Sequence, residues 1–161
     1  METLYKESPT GCCKKFDPAP WDEKEIVFKD RLFLKDRVSG VFHIPLNFGQ
    51  VMTRNMEKIQ RAGALTEEPL ILSDENSMWG SDIYIAVKKE VPAAKMVVIS
   101  GNFLTKVFEG EYKEIGKWIK QMEDFVRSKG KVSKKLYFYY TTCPKCSKTY
   151  GKNYVVLLAE V

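Results

Sequence analysis

NFGQVMTRNMEKIQRAGA (residues 47–64) and EIGKWIKQMEDFVRSKGK (114–131) align at one constant offset: Phe48 falls on Ile115, Gly49 on Gly116, Val51 on Trp118, Met52 on Ile119, Ile59 on Val126 and Gly63 on Gly130. Apolar residues recur in both at helical spacing, and each segment ends on a glycine suited to the left-handed position that closes a helix. The sequence therefore predicts two matching amphipathic helices, and with them a duplicated module.

The flanks repeat as well. RLFLKDRVSGVF (31–42) precedes the first helix and KMVVISGNFLTKVF (95–108) the second. PLILSDE (69–75) with GSDIYIAVKKEV (80–91) follows the first; KLYFYYTT (135–142) with GKNYVVLLAEV (151–161) follows the second. Alternating β-branched and aromatic residues bounded by Gly, Asn and Ser read as strands. Each half is thus strand, helix, strand, strand. A helix covers only one face of a small sheet, so each half exposes an apolar face unless the halves combine. The expected fold class is α+β: tandem strand-helix-strand-strand modules forming one antiparallel sheet, with helices on one face and a ligand groove on the other. Residues 1–30 read as an N-terminal arm and 31–161 as a single domain, with module one at about 31–91, a joint at VPAAK (91–95) and module two at about 95–161.

A chain of 161 residues can bury a core without disulfides or metals, and 44% hydrophobic with 29% charged residues is globular composition. No apolar run approaches the ~18 residues of a membrane span, and METLYKESPTGCCKKF lacks the apolar core and cleavage site of a secretory signal. The expectation is a cytoplasmic protein with no membrane association. The charge of +5 is scattered, with Lys-Lys pairs at 14–15, 88–89 and 134–135 lying among acids and turn residues, so no basic stripe marks a nucleic-acid partner. No obligate protein partner is expected either.

The two halves, with FEGEYKEIGKW opening the second helix, resemble the GyrI-like small-molecule-binding family over roughly residues 30–161. That family enters its second helix through a G-P-Y-E-type turn. Here Gly110 and Tyr112 match, and Glu111 replaces the proline. Transcription factors of the family carry a glutamate for cationic drugs near the position of Phe138, where this chain is aromatic, and no helix-turn-helix segment is present. Both departures argue against a drug-sensing transcription factor. The aromatic pattern of FHIPLNFG, SMWGSDIYI, FLTKVFEG, YFYYTTCPKC and YGKNYVVL is instead similar to the cyclopropanoid cyclopropyl hydrolases, GyrI-like enzymes that open the activated cyclopropane of yatakemycin-type DNA-alkylating agents by adding water in an aromatic cage. The resemblance implies a cofactor-independent hydrolase acting on a planar aromatic small molecule in xenobiotic detoxification. A non-catalytic module that sequesters planar apolar ligands is the alternative.

Opening such a ring needs stacking to hold the plane, a donor to polarise the dienone carbonyl, and an oriented water. Trp79, Tyr84, Phe108, Tyr112, Tyr139 and Tyr140 are the candidate ligand-binding aromatics. Tyr137 is the candidate donor and Glu109, at the entry to the second helix, the candidate general base, provided desolvation raises its basicity. Strand alternation puts Tyr137 and Tyr139 on one face and Leu136, Phe138 and Tyr140 on the other. Polarity sends the first pair to the groove, whereas the family alignment sends Phe138 and Tyr140.

His43, the only histidine, lies in FHIPLN with no nucleophile motif nearby and reads as structural. Cys143-x-x-Cys146 has the spacing of half a zinc site or a redox pair. It falls between Gly80-equivalent Gly151 and the preceding strand, as an insertion into the repeat, and CPKCSKTYGKNY reads as a hairpin loop. No metal or cofactor is expected, with Cys143 and Cys146 the alternative ligand pair.

Overall fold

The computed structural model describes residues 17–41, 44–45, 47–67, 70–77, 79–111, 114–141 and 154–161. Its elements run β1 (Lys24–Val41), β2 (Ile44–Pro45), α1 (Phe48–Arg61), β3 (Ile71–Ser77), β4 (Gly80–Ala86), β5 (Lys95–Glu109), α2 (Ile115–Ser128), β6 (Lys135–Tyr140) and β7 (Tyr154–Glu160). The fold is α+β, and strand, helix, strand, strand occurs twice.

Both helices occupy the predicted segments, and the glycines close them in the same way. Gly63 and Gly130 take φ of 62° and 71°. Around each, the glycine N–H donates to the carbonyl three residues back, Gln60 or Arg127, and the next N–H donates five residues back, from Ala64 to Ile59 and from Lys131 to Val126. This paired capping satisfies carbonyls that a helix end otherwise leaves unmatched.

The chain divides into two compact units, Lys29–Ser100 and Met1–Phe28 with Gly101–Val161. In Lys29–Ser100, β1 and β4 pair antiparallel from Phe33 with Ala86 to Ser39 with Gly80, and β3 pairs β4 from Ile71 with Ile85, with a bulge between Asp74 and Ser77. One face is closed by α1: Leu34, Val38, Ile83 and Ile85 pack with Val51 and Ile59. In the other unit, β7 is central, pairing antiparallel with β5 from Phe103 with Glu160 to Glu109 with Tyr154, and with β6 from Lys135 with Glu160 to Tyr140 with Val155. Here α2 lays Trp118, Met122, Phe125 and Val126 on Leu104, Phe108, Phe138, Val155 and Leu157. Each helix therefore covers one face of its own strands.

β1 begins at Lys24, inside the segment expected to be an arm. Its early residues alternate, with Val27 exposed and Phe28 buried. Interleaved Lys, Glu and Asp, and a left-handed Asp30 at φ 48°, mask that alternation in the sequence. Asp30 is held by Ser100, whose hydroxyl accepts from its N–H at 2.8 Å and donates to its carboxylate at 3.0 Å.

Candidate functional site

The faces turned away from the helices are aromatic and buried. In the unit holding Gly101–Val161, Leu104, Phe108, Phe138, Val155 and Leu157 belong to the helix-packed core. Alternation then places Phe103, Thr105, Tyr137, Tyr139, Val156 and Leu158 on the opposite face. The register agrees, setting Leu158 between Thr105 and Tyr137. On this face Phe103 lies 5.0 Å from Phe28 and 6.1 Å from Tyr137, ring centre to ring centre. Tyr137 is buried, and the Lys135 ammonium stands 5.1 Å over its ring. Tyr139 is half-buried and meets the edge of Trp21 at 5.5 Å.

The equivalent face of Lys29–Ser100 carries Phe33, Leu72 and Tyr84, all buried. Phe33 and Tyr84 meet edge to face at 6.5 Å and 89°. Lys35, directly across the ladder from Tyr84, places its ammonium 5.6 Å over that ring. Asp82 accepts an ion pair from Arg37 at 3.1 Å and lies 3.8 Å from Lys35, with its side chain only 17% exposed. A carboxylate, two cations and a tyrosine thus share one aromatic surface.

A second charged group lies on the helix side and is structural. Burial alone would raise the Asp36 carboxyl, but hydrogen bonds from Arg54, Asn55 and the Arg37 N–H, with the Arg54 charge, hold it below the ordinary carboxylate value. Arg54 and Asn55 both reach its Oδ2 at 2.8 Å, and buried Asn55 also donates to the Val51 carbonyl at 2.9 Å. Asp36 therefore ties β1 to α1.

The residues singled out from sequence fall in distinct places. Tyr137 and Tyr139 share the non-helical face, the face that polarity selected. Tyr140 and Phe108 lie on the other, where Tyr140 stacks 6.2 Å from Phe138 and Phe108 stacks 5.9 Å from Trp118. The helix α2 covers Phe138 and Tyr140, so the strand face chosen by family alignment is occupied by core. Tyr84 lies on the aromatic face of its own unit. Trp79 is 61% exposed, and its carbonyl accepts from the Gly40 N–H at 2.9 Å. Glu109 is exposed at the end of β5, paired across the ladder with Tyr154. Tyr112, His43, Cys143 and Cys146 lie outside the described residues. Among the described residues, no group of three or more His, Cys, Asp or Glu is placed to hold a metal.

Sequence reasoning missed Trp21, Phe28, Phe33 and Phe103 as parts of these faces, and Lys35, Asp82 and Lys135 as their charges. Carrying the strand alternation back through EIVFKDRLF would have put Phe33 opposite Leu34. Nothing local could show that Lys35 faces Tyr84, because cross-strand register is a long-range property.

A family model described as bacterial hydrolase matches residues 3–161. Among solved structures, a hydrolase from Listeria innocua aligns with TM-score 0.59 and 12% identity over 87% of this chain and 92% of its own. Another crystal structure of a Listeria innocua hydrolase aligns with TM-score 0.58 and 12% identity over 85% and 90%. An uncharacterized conserved protein from the same organism gives TM-score 0.58 and 12% identity over 84% and 90%. At that identity the likeness speaks for the fold alone. Comparison with curated proteins finds no match.

Proposed function

The chain belongs to the bacterial hydrolase family, and from that premise we propose that it is a cofactor-independent hydrolase that adds water to a flat, uncharged small molecule held on the strand face of Tyr137 and Tyr139. The finer reading, taken from the GyrI-like resemblance, is that the substrate carries an activated cyclopropane of the yatakemycin type. The observation that carries the reading is that face itself, a tyrosine buried against Phe103 with an ammonium over its ring. Aromatic pairs contribute about 0.5–1.5 kcal/mol each beyond area burial, so a ring with surface left open, as on half-buried Tyr139, favours a planar ligand.

In the proposed reaction water attacks a cyclopropane carbon and the strained carbon–carbon bond breaks. Its electron pair moves through the conjugated ring onto the carbonyl oxygen, which becomes a phenolate, and the attacking water loses a proton. Tyr137 would donate to the oxygen where charge develops, aided by the Lys135 cation, an effect that grows where water is excluded. Glu109, placed by alternation on the same side of β5 as Phe103 and Thr105, is the proposed base for the water. Tyr137→Phe should lower kcat by about ten- to a thousandfold with a smaller change in KM, the pattern of an interaction made in the transition state. Equal kcat in wild type and Tyr137→Phe would remove Tyr137 from the chemistry.

The exposure of Glu109 favours a second reading, a non-catalytic module that sequesters planar apolar molecules. It predicts saturable quenching of tryptophan emission by such ligands without turnover. Detoxification in the cytoplasm belongs to the proposal under either reading.

A further inference from the structure

We propose that Trp21 is a ligand-contacting, specificity-determining ring of the aromatic face, and that the Pro18–Lys24 segment is a strap fixed on β5 to hold that indole in place. The proposal rests on reading this face as the site for a flat, uncharged substrate.

The strap is tied to β5 by a run of polar contacts. Trp21 and Asp22 N–H groups both donate to the Pro18 carbonyl at 3.0 Å, closing a turn. Three consecutive residues of β5 then hold it. The hydroxyl of Thr105, a fully buried residue, donates to the Trp21 carbonyl, with the Lys24 carbonyl at 3.4 Å. Lys106 pairs with Glu23 at 3.4 Å, and the Val107 N–H donates to the Asp22 carboxylate at 3.1 Å. Glu23 itself sits at φ 52°, a left-handed conformation that a residue with a side chain keeps only where its surroundings enforce it.

The outcome of this docking is the position of one ring. Trp21 meets Tyr139 at 5.5 Å with planes inclined by 64°, on the same face as Tyr137. A core tryptophan in this chain looks different: Trp118 is 4% exposed, whereas Trp21 stays half-buried with surface left over. An aromatic ring already ordered by the protein loses little freedom when a ligand stacks on it, so it can act as an anchor. Trp21 therefore supplies the wall that selects flat ligands, and Thr105 and Asp22 act through it as positioning residues.

The test uses the whole protein and acridone, a flat uncharged carbonyl compound. Acridone affinity is measured by calorimetry for wild type, Trp21→Ala, Trp21→Phe and Thr105→Val, with circular dichroism as the check on folding. In parallel, 5-fluorotryptophan-labelled wild type is titrated by fluorine NMR, its three signals assigned through single Trp→Phe variants. The expected result is at least about tenfold weaker binding for Trp21→Ala, near-complete rescue in Trp21→Phe, and about three- to tenfold weakening in Thr105→Val from one lost hydrogen bond. The Trp21 signal should shift saturably while that of Trp118 stays still. Wild-type binding with an unmoved Trp21 signal, or equal affinity in folded Trp21→Ala, would overturn the strap proposal and leave the proposed function standing. No acridone binding by wild type would overturn both.

Discussion

Asp36 is the residue whose chemistry is most fully defined, since three donors converge on a partly buried carboxylate. Because its folded value lies below the unfolded one, the ionised form stabilises the fold. That contribution is complete above the unfolded value of about 3.9 and is lost as pH falls through the depressed folded value. Melting temperature measured between neutral pH and about pH 2.5 should fall more steeply for wild type than for Asp36→Asn below about pH 4; parallel curves would contradict the assignment. Asp36→Ala leaves the buried Asn55 amide with only its bond to the Val51 carbonyl and removes the acceptor of Arg54, and should cost about 1–3 kcal/mol in denaturant unfolding at neutral pH. Gly80 has a different constraint, for a methyl group there would sit 2.7 Å from the Val38 carbonyl. Gly80→Ala should destabilise by about 1–3 kcal/mol through forced separation of β1 and β4, measurable as a lower urea midpoint at unchanged slope.

At the scale of elements, each helix is held by what it buries. Trp118 joins α2 to β5 through its stack on Phe108 and packs in a cluster with Met122, Phe125 and Phe138. Trp118→Ala should therefore cost about 3–5 kcal/mol in equilibrium unfolding, while an exposed change on the same helix such as Lys117→Ala should stay within about 0.5 kcal/mol. The helices were legible in the sequence because a 3.6-residue period and a closing glycine are local signals, and they occur twice. The start of β1 was not, because charged residues on its open side break the pattern that Val27 and Phe28 follow. The face of β6 stayed ambiguous for a related reason. Aromatics occupy both sides of LYFYY, and only the packing of α2 on Leu136, Phe138 and Tyr140 assigns them.

For the molecule as a whole, family membership gives a class of chemistry, and the aromatic face of Tyr137 and Tyr139 is its proposed setting. Each unit carries a tyrosine against a phenylalanine with a lysine over the ring, Tyr84, Phe33 and Lys35 in one and Tyr137, Phe103 and Lys135 in the other, but not at matching repeat positions: Tyr84 lies on β4 and Tyr137 on β6, Lys35 on β1 and Lys135 on β6. Tyr84, Tyr137 and Tyr139 stand out in the sequence because aromatic density is visible in a strand, and the structure puts all three on strand faces turned away from the helices. Trp21, Lys35 and Asp82 do not stand out, because their neighbours Tyr139, Tyr84 and Arg37 come from distant chain segments brought side by side. Among the described residues no helix is long and apolar enough to cross a membrane. The central claim is that water is added to a planar substrate at the Tyr137 face. It is tested most directly by incubating wild type and Tyr137→Phe with a yatakemycin-type compound in oxygen-18-enriched water and following product mass. The expected product is ring-opened, gains one labelled oxygen, and is formed by wild type well above both the buffer and the Tyr137→Phe rates. An unlabelled product, or formation by wild type no faster than in buffer, would contradict it.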